Sequence, residues 1–372
     1  MEYKKMLHQY SENQKVLIVG TVRNCSNYLE ENINKISNAF KEFSNIHWLI
    51  VESDSTDDTL LICSRLKNDI ANFHYKSLGQ LETKIPLRTE RIAYCRNYYL
   101  EEIRNNSNFA EAELLVVCDL DKNAQSHLSI DGVMSCFERN DWDVCTANQA
   151  GKYYDIWALR HPLWSPNDCW QLKKFLQTTM KLSEKKAVYS AVYSRMIHIA
   201  PETEWIAVDS AFGGTAIYKI KFIQTSRYVG KAISESGNLD EVCEHVAFHN
   251  QLAQNGAKIF INPKLINTST NEHSVQSIVP GVLKLEIESD PPAVMPQLLN
   301  IACTSEDVIG AYKIFLGRHP ESIPAIDERV GKTTDSLLVD FLSSKEFLEN
   351  KEKQLFILSL ANRILKNRNA NV

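Results

Sequence analysis

Residues 112–121 read Ala-Glu-Leu-Leu-Val-Val-Cys-Asp-Leu-Asp, an apolar run that ends in two carboxylates. The run from Leu114 to Cys118 predicts a buried β-strand, and Asp119 and Asp121 follow it directly. Because side chains alternate along an extended chain, we expect both acids on the same side. A hard divalent cation that is shared with a diphosphate needs such oxygen ligands. The stretch therefore predicts a strand that ends in a metal site.

The residues before this strand predict the rest of the sheet. Residues 15–22 are typical of a buried strand, residues 28–43 carry the apolar stripe of a helix, and residues 48–51 predict a second strand. This β-α-β order favours an α/β domain with a parallel sheet and helices on its faces. Ligands bind beyond the carboxyl ends of such strands. Polar residues stand at three of these ends, at 21–24, 52–54 and 119–121.

Length, charge and cysteine usage exclude several classes of protein. A chain of 372 residues favours one large domain and a smaller one, and a net charge of -5 predicts no nucleic-acid partner. Residues 1–15 lack the apolar core of a secretory signal, and no apolar run reaches the ~20 residues that span a bilayer. The nine cysteines are scattered singly, as in a reducing compartment. We expect a cytoplasmic protein and leave open its peripheral association with the inner face of the membrane.

The segment 88–97, between the second strand and the acidic strand, contains three arginines, Arg88, Arg91 and Arg96. Guanidinium groups bind diphosphates well, so the segment is a candidate phosphate contact. A solvated helix face is the alternative interpretation. No Gly-x-Gly-x-x-Gly loop follows the first strand, which disfavours a dinucleotide-dependent oxidoreductase.

The order of these motifs resembles the GT-A fold glycosyltransferases over about residues 14–275. Three further segments are similar to the capsule-associated mannosyltransferase group and its bacterial relatives: Gly-Thr-Val-Arg-Asn at 20–24, Tyr-Asp-Ile-Trp-Ala-Leu-Arg at 154–160 and Phe-Gly-Gly-Thr-Ala-Ile-Tyr at 212–218. The resemblance implies a Rossmann-like, mostly parallel sheet, a nucleotide-sugar donor and a Mn²⁺ or Mg²⁺ cofactor.

The resemblance also implies roles for single residues. It implies that Asp121 binds the metal and that Asp119 contacts the ribose or a metal-bound water. It also makes His273 a candidate third metal ligand. Glu52, at the end of the second strand, occupies the position of an acid that contacts the nucleotide. The expected donor-binding residues are Thr21, Arg23, Glu52, Asp54, Arg91, Arg96 and Asp119.

The acids of residues 240–249 are candidates for a general base. We expect a helix from Asp240 to Gln254, and the resemblance makes Glu244 the first choice and Asp240 the second. The alternative is that these acids are surface charges that complement the helix dipole. Transfer with retention needs no such base. His245 and His249 stand four apart like two zinc ligands. A glutamate directly after the first histidine is missing, which disfavours a metallopeptidase.

Aromatic residues are concentrated between residues 151 and 170. Aromatic faces suit stacking on sugars, and a buried cluster under a long loop is the alternative. The group comprises Tyr153, Tyr154, Trp157, Trp164 and Trp170.

The composition changes after residue 289. Helical patterns follow at 305–316, 336–348 and 353–366, and they resemble a small helical domain of bacterial surface-polysaccharide and secreted proteins. We therefore predict a GT-A domain over residues 1–289 and an all-α domain over residues 290–372, with a role in packing or oligomerisation.

Together these features predict a metal-dependent glycosyltransferase, of hexosyl or mannosyl type, in bacterial surface polysaccharide synthesis. Its acceptor would be a glycan or a lipid-linked glycan. Two alternatives stay open: a non-catalytic glycan-binding or scaffold protein on the same fold, and a nucleotidyltransferase that releases pyrophosphate.

Overall fold

A computed structural model describes residues 14–109, 111–233, 239–269, 302–355 and 357. The chain divides into two compact units, residues 1–279 and 280–372. The point of division lies outside the described residues, so the predicted domain boundary at residue 289 stays a prediction. None of the helices in the described ranges is long and apolar enough to cross a bilayer.

The first unit is built on an eight-stranded sheet in the order β3-β2-β1-β4-β7-β5-β10-β6, counted over the described residues. Its pairs β1–β2, β2–β3, β1–β4 and β5–β10 are parallel, whereas β7 and β6 run antiparallel to their neighbours. The predicted α/β class with a mostly parallel sheet is therefore confirmed. The strands of this sheet are β1 Lys15–Val22, β2 Asn45–Glu52, β3 Phe73–Ser77, β4 Leu114–Cys118, β5 Val144–Gln149, β6 Ile206–Ala207, β7 Thr215–Lys219 and β10 Ile259–Thr268. A separate hairpin is formed by β8 Lys231–Ile233 and β9 Leu239–Glu241.

Both faces of the sheet are covered, which explains the continuous apolar runs of its strands. Leu17 and Val19 of β1 belong to one core cluster, and Val16 and Ile18 belong to the other. The helices of this unit are α1 Leu29–Ala39, α2 Thr59–Asp69, α3 Arg88–Asn105, α4 Ile130–Ser135, α5 Cys169–Thr178, α6 Glu184–Ala191 and α7 Glu244–Gln254. Helices α1 and α2 pack on the second cluster, and α3 and α7 pack on the first. All nine cysteines are buried and free.

The described part of the second unit is helical around a small apolar core. Its helices are α8 Ser305–Ala311, α9 Ile323–Asp327, α10 Thr334–Leu342 and α11 Lys345–Leu348, with a π-helical segment at Tyr312–Leu316. The single helix predicted over 336–348 is divided in two, because the Ser344 hydroxyl accepts a hydrogen bond from the Phe347 amide and so begins a new helix. Most of the helix predicted over 353–366 lies outside the described residues.

Candidate functional site

The ends of three neighbouring parallel strands form one rim. β2, β1 and β4 lie side by side, so residues 21–24, 52–54 and 119–121 meet at the same edge of the sheet. We call these three segments the site rim. The sequence predicted this meeting, and the structure confirms the positions of the segments.

The backbone around the acid pair after β4 is fixed by hydrogen bonds. The Asp119 amide donates to the Gly214 carbonyl at 2.9 Å, and Gln125 Nε2 donates to the Asp119 carbonyl at 2.9 Å. Asn32 Nδ2 donates to the Asp121 carbonyl at 2.8 Å. The Asp119 side chain remains 37% exposed and Asp121 is exposed. The loop is therefore held by its backbone while both carboxylates stay accessible.

The carboxylates of this pair lie close to each other and to further acidic side chains. The pKa of the Asp119 carboxyl is raised to about 8, first by its desolvation and then by Asp121; Arg96 opposes the shift, and Asp155 and Glu244 add smaller contributions to it. A divalent cation relieves such repulsion. Over the described residues no cluster of three or more His, Cys, Asp or Glu side chains is arranged for a metal. Two carboxylates fit Mg²⁺ or Mn²⁺ that takes its remaining ligands from water and substrate phosphates.

Arg96 links this pair to a second acid. Its Nη2 lies 3.6 Å from Asp119 Oδ1, and its Nε lies 3.4 Å from Glu244 Oε1. The buried guanidinium stands over the rings of Phe212 and Tyr228, with distances of 5.1 Å and 5.5 Å to the ring centres. Two cation–π contacts and two carboxylates fix its position. Arg96 thus connects the metal candidates with the base candidate.

Glu244 is the first residue of α7 and is buried. Its pKa is raised, because the burial of the carboxyl outweighs the attraction of Arg96. Carboxylates with a raised pKa are stronger bases and are typical of catalytic positions.

The predicted start of this helix at Asp240 is wrong. Residues 239–241 form β9, in which Asp240 pairs with Ala232 of β8, and α7 begins only at Glu244. Asp240 is about one-third exposed, and its Oδ2 lies 3.7 Å from Lys174 Nζ. The hairpin pairing keeps these residues extended. The two base candidates therefore belong to different elements.

Glu52, the last residue of β2, and Asp54 are buried and accept hydrogen bonds. Glu52 Oε1 accepts a hydrogen bond from the Ser55 amide at 2.8 Å, and Oε2 accepts one from Ser77 Oγ at 2.5 Å. Asp54 Oδ1 accepts hydrogen bonds from the amides of Leu81 and Glu82 at 2.7 Å and 2.9 Å. Desolvation acts to raise the pKa of Asp54, but these two hydrogen bonds together with Ser53 and Arg23 lower it. Both side chains therefore hold the chain segments around the site rim in place.

Two of the predicted donor-binding arginines meet at Glu82. Arg23 is 45% exposed, and its Nη2 lies 3.0 Å from Glu82 Oε2. Arg91 is buried; its Nη1 donates to the carbonyls of Ile85 and Pro86 at 2.8 Å and 2.7 Å, and its Nη2 lies 3.4 Å from Glu82 Oε1. Arg23 is accessible at the rim, whereas Arg91 anchors the loop before α3.

Three other predicted residues have different positions. Thr21 lies within β1, paired with Val51, and is half-buried. Arg88, the first residue of α3, is exposed. His273 lies outside the described residues, so its role as a metal ligand stays a prediction.

Sequence reasoning missed Asp155 as a member of the site. Its Oδ2 accepts a hydrogen bond from the Gly213 amide at 2.9 Å. Gly213 and Gly214 both have positive φ, and a Cβ on Gly214 would lie 2.8 Å from Asn267 Nδ2 and 3.0 Å from the Tyr154 hydroxyl. A side chain does not fit at Gly214. The signal was present, since Asp155 and both glycines belong to the segments 154–160 and 212–218.

His249 is a core histidine. Its ring nitrogens share hydrogen bonds of 2.9 Å with Ser210 Oγ and with the Tyr218 hydroxyl, and burial lowers its pKa to about 3. His245 stacks on Phe212 with 3.8 Å between ring centres. Both nitrogens of His249 are therefore occupied, which agrees with the absence of a metallopeptidase pattern in the sequence.

Most of the aromatic residues between 151 and 170 are structural. Tyr153 is buried and packs edge-on against Trp164 at 5.4 Å. Trp157 Nε1 donates to Asp168 at 2.9 Å. Trp170 differs from these, because 43% of it is exposed.

No protein-family model and no curated protein matches the chain. Among solved structures, S. aureus TarS 1–349 is 12% identical, with a TM-score of 0.40, over 92% of this chain and 77% of its own. A mannosyltransferase from Pyrobaculum calidifontis, in complex with GDP-Man and Mn²⁺, is 13% identical, with a TM-score of 0.39, over 98% and 94%. The Mycobacterium tuberculosis glucosyl-3-phosphoglycerate synthase, in complex with UDP, is 13% identical, with a TM-score of 0.32, over 59% and 61%. At this level of similarity, the reaction of this protein has to be inferred from its own residues.

Proposed function

We propose that this protein is a metal-dependent glycosyltransferase that moves a sugar from a nucleoside-diphosphate sugar to a hydroxyl group of a glycan or lipid-linked glycan. One observation carries the proposal: an accessible carboxylate pair at a strand end is joined through the buried Arg96 to the buried Glu244. Glycosyl transfer needs stabilisation of a leaving diphosphate and often a proton acceptor. The resemblance of the sequence to GT-A glycosyltransferases supports the same reaction.

Asp119 and Asp121 are the residues that would hold Mn²⁺ or Mg²⁺. When bound, the cation supplies Lewis-acid stabilisation of the charge on the diphosphate. Arg96 orients Asp119, and Arg23 adds an accessible positive charge at the rim. Thr21 borders the same rim. Glu52, Asp54 and Arg91 act on the donor indirectly, because their hydrogen bonds shape the loops around it.

Glu244 is the proposed proton acceptor. The acceptor oxygen attacks the anomeric carbon, the bond from that carbon to the diphosphate oxygen breaks, and the hydroxyl proton passes to the Glu244 carboxylate. The raised pKa of Glu244 increases its basicity, and Arg96 holds its position. Asp240 is the second candidate. Transfer with retention needs neither acid as a base, so the anomer of the product, determined by NMR, distinguishes the two routes.

The finer assignments rest on sequence resemblance. Mannose as the sugar and bacterial surface polysaccharide as the product are supported by the segments 20–24, 154–160 and 212–218. For the second unit we propose a role in packing or oligomerisation. Removal of residues 290–372 should leave hydrolysis of the donor measurable, since all proposed donor contacts precede it.

A screen of nucleotide sugars by thermal shift, with and without Mn²⁺, tests the function. A true donor at 100 times its Kd adds about 2.7 kcal/mol to the free energy of unfolding. We expect one nucleotide sugar to stabilise the protein, and to do so only when Mn²⁺ is present. The same donor should be hydrolysed slowly in a metal-dependent reaction. Binding without any hydrolysis would favour a scaffold protein. Release of pyrophosphate from a nucleoside triphosphate would favour a nucleotidyltransferase.

A further inference from the structure

A helical hairpin in the first unit differs from the rest of the chain in charge. It consists of α5 and α6, connected by residues 179–183. Residues 169–186 contain five lysines and one glutamate, whereas the whole chain has a net charge of -5. The lysines are Lys173, Lys174, Lys181, Lys185 and Lys186. The hairpin is thus a basic segment on an acidic protein.

The same hairpin exposes large apolar side chains. Trp170 is 43% exposed, Phe175 49%, Met180 56% and Tyr189 44%. Single exposed apolar residues are common on protein surfaces, but a group of this size within twenty residues marks an interaction surface. We call α5, α6 and their connection, residues 169–191, the basic–apolar hairpin.

The apolar and basic groups share the outer side of the hairpin. On α5, Leu172 and Leu176 pack against the core of the first unit. Because successive residues of a helix are rotated by about 100°, Trp170 and Lys174 fall on the opposite side and Phe175 falls at its margin. Lys173 is half-buried, and its Nζ lies 5.8 Å from the centre of the Trp170 ring and 2.8 Å from Glu184 Oε1. The other four lysines of the hairpin are exposed, as are its large apolar side chains.

We propose that the basic–apolar hairpin docks this protein on a membrane surface that contains anionic lipids. Lysines are attracted to lipid phosphates, and tryptophan, phenylalanine and methionine enter the boundary between headgroups and acyl chains. The whole chain has a net negative charge, which the same lipids repel, although this segment is positive. The difference in charge therefore favours contact through the hairpin.

The hairpin also contacts Asp240, the second base candidate. Lys174 Nζ is 3.7 Å from Asp240 Oδ2, and Asp240 precedes Glu244 by one short connection. Docking would bring this side of the site towards acceptors held in the bilayer. This last step rests on the proposed function, whereas the docking itself does not.

Cosedimentation with lipid vesicles tests the proposal without donor or metal. The full chain should pellet with vesicles of phosphatidylcholine and phosphatidylglycerol, remain in solution with phosphatidylcholine alone, and dissociate as NaCl is raised. The variant K181A/K185A/K186A should bind the anionic vesicles at least about 10-fold more weakly. The variant W170S/F175S should also lose binding, and it should do so at low salt as well.

A matched control comes from α2, which has an exposed leucine and an exposed lysine of its own. Leu61 is 69% exposed and Lys67 is exposed. The variant L61S/K67A should bind vesicles like the wild type. Thermal melts and circular dichroism establish that all three variants are folded.

Three results would overturn the proposal: wild-type protein that stays in solution with anionic vesicles, folded hairpin variants that bind as well as wild type, or an equal loss in the control. Sedimentation velocity adds a further outcome. If W170S/F175S converts a dimer into monomers while vesicles bind neither form, the hairpin joins two copies of the chain. Failure of the proposed function would appear separately, as absent donor hydrolysis with normal vesicle binding.

Discussion

Two acid pairs in this protein have the same sequence pattern and opposite environments. Glu52-Ser53-Asp54 begins at the last residue of β2, and Asp119-Leu120-Asp121 directly follows β4. In the first pair Glu52 is 1% exposed and Asp54 is 8% exposed. In the second pair the Asp119 side chain is 37% exposed, and Asp121 is exposed.

The supply of hydrogen-bond donors explains the difference. The first pair accepts hydrogen bonds from amides of the surrounding loops and from the Ser77 hydroxyl of β3. Its charge is therefore stabilised and, although desolvation opposes the shift, the pKa of Asp54 is lowered. In the pair after β4, desolvation of the Asp119 carboxyl and its proximity to Asp121 raise the pKa of Asp119. One pair holds the fold together, and the other is suited to a cation. The role of an acid pair at a strand end can therefore be assigned only when the hydrogen-bond donors around it are known.

Removing an acid of the second pair should have the largest effect on activity. We expect Asp121→Ala to lower transfer by roughly 10³-fold or more, because the metal and the diphosphate lose a ligand. Its melting temperature should stay unchanged or rise, since an exposed and repulsive charge is lost. Activity assays with Mn²⁺ and thermal melts measure both. Full activity in a folded Asp121→Ala protein would remove this pair from the chemistry.

A similar separation of roles is expected for Glu244. Glu244→Gln should retain donor binding, since the amide keeps the size of the side chain, and transfer should fall by about 10²- to 10⁴-fold. Isothermal titration with the donor and single-turnover kinetics measure the two steps. Asp240→Asn is the matched variant from β9. If it alone lowers turnover, the base is Asp240; normal turnover in both variants would favour a retaining mechanism.

The first acid pair should affect stability instead. Asp54→Ala leaves the amides of Leu81 and Glu82 without their acceptor, which should cost about 1–3 kcal/mol in the free energy of unfolding. Asp54→Asn keeps one acceptor oxygen and should cost less. Chemical denaturation measures the difference. An Asp54→Ala protein as stable as wild type would contradict the structural role of the first pair.

The smallest expected effect concerns Asp57, in the loop after β2. Desolvation opposes the shift, but hydrogen bonds from Thr59 and Ser26 lower the pKa of Asp57 to about 2. Because this value lies below the unfolded value of about 3.9, the stabilisation is present above pH 4 and is lost as pH falls towards 2. Asp57→Asn should therefore be less stable than wild type near pH 5, and the difference should shrink by pH 2. A gap that widens on acidification would contradict this assignment.

The sequence predicted those parts of the molecule that depend on local pattern. The parallel strands β1, β2 and β4 are continuous apolar runs because both faces of the sheet are covered, and the polar residues after them mark the rim. The start of α7 was not predictable in the same way. Residues 239–241 are extended because they pair with residues 231–233, and this pairing is not visible in the periodicity of either segment.

The arrangement of the site depends even more on contacts between residues that are far apart in the sequence. Arg96 lies between Asp119 and Glu244, and Glu52 accepts a hydrogen bond from Ser77, a residue of the next strand. Such contacts follow from the packing of whole elements. Residue type and spacing therefore identified the acids of the site, but did not distinguish those that hold the fold from those that face a ligand.

Binding of Mn²⁺ in the presence of a nucleoside diphosphate tests the central claim most directly. The electron paramagnetic resonance signal of free Mn²⁺ is followed as protein is added, with UDP and with GDP, for wild type, Asp54→Asn and Asp119→Asn/Asp121→Asn. We predict that wild type and Asp54→Asn remove Mn²⁺ from solution in the presence of one of the two nucleotides, and that the double variant does not. Retained binding in a folded double variant, together with lost binding in a folded Asp54→Asn protein, would contradict the account and assign the cation to the pair after β2.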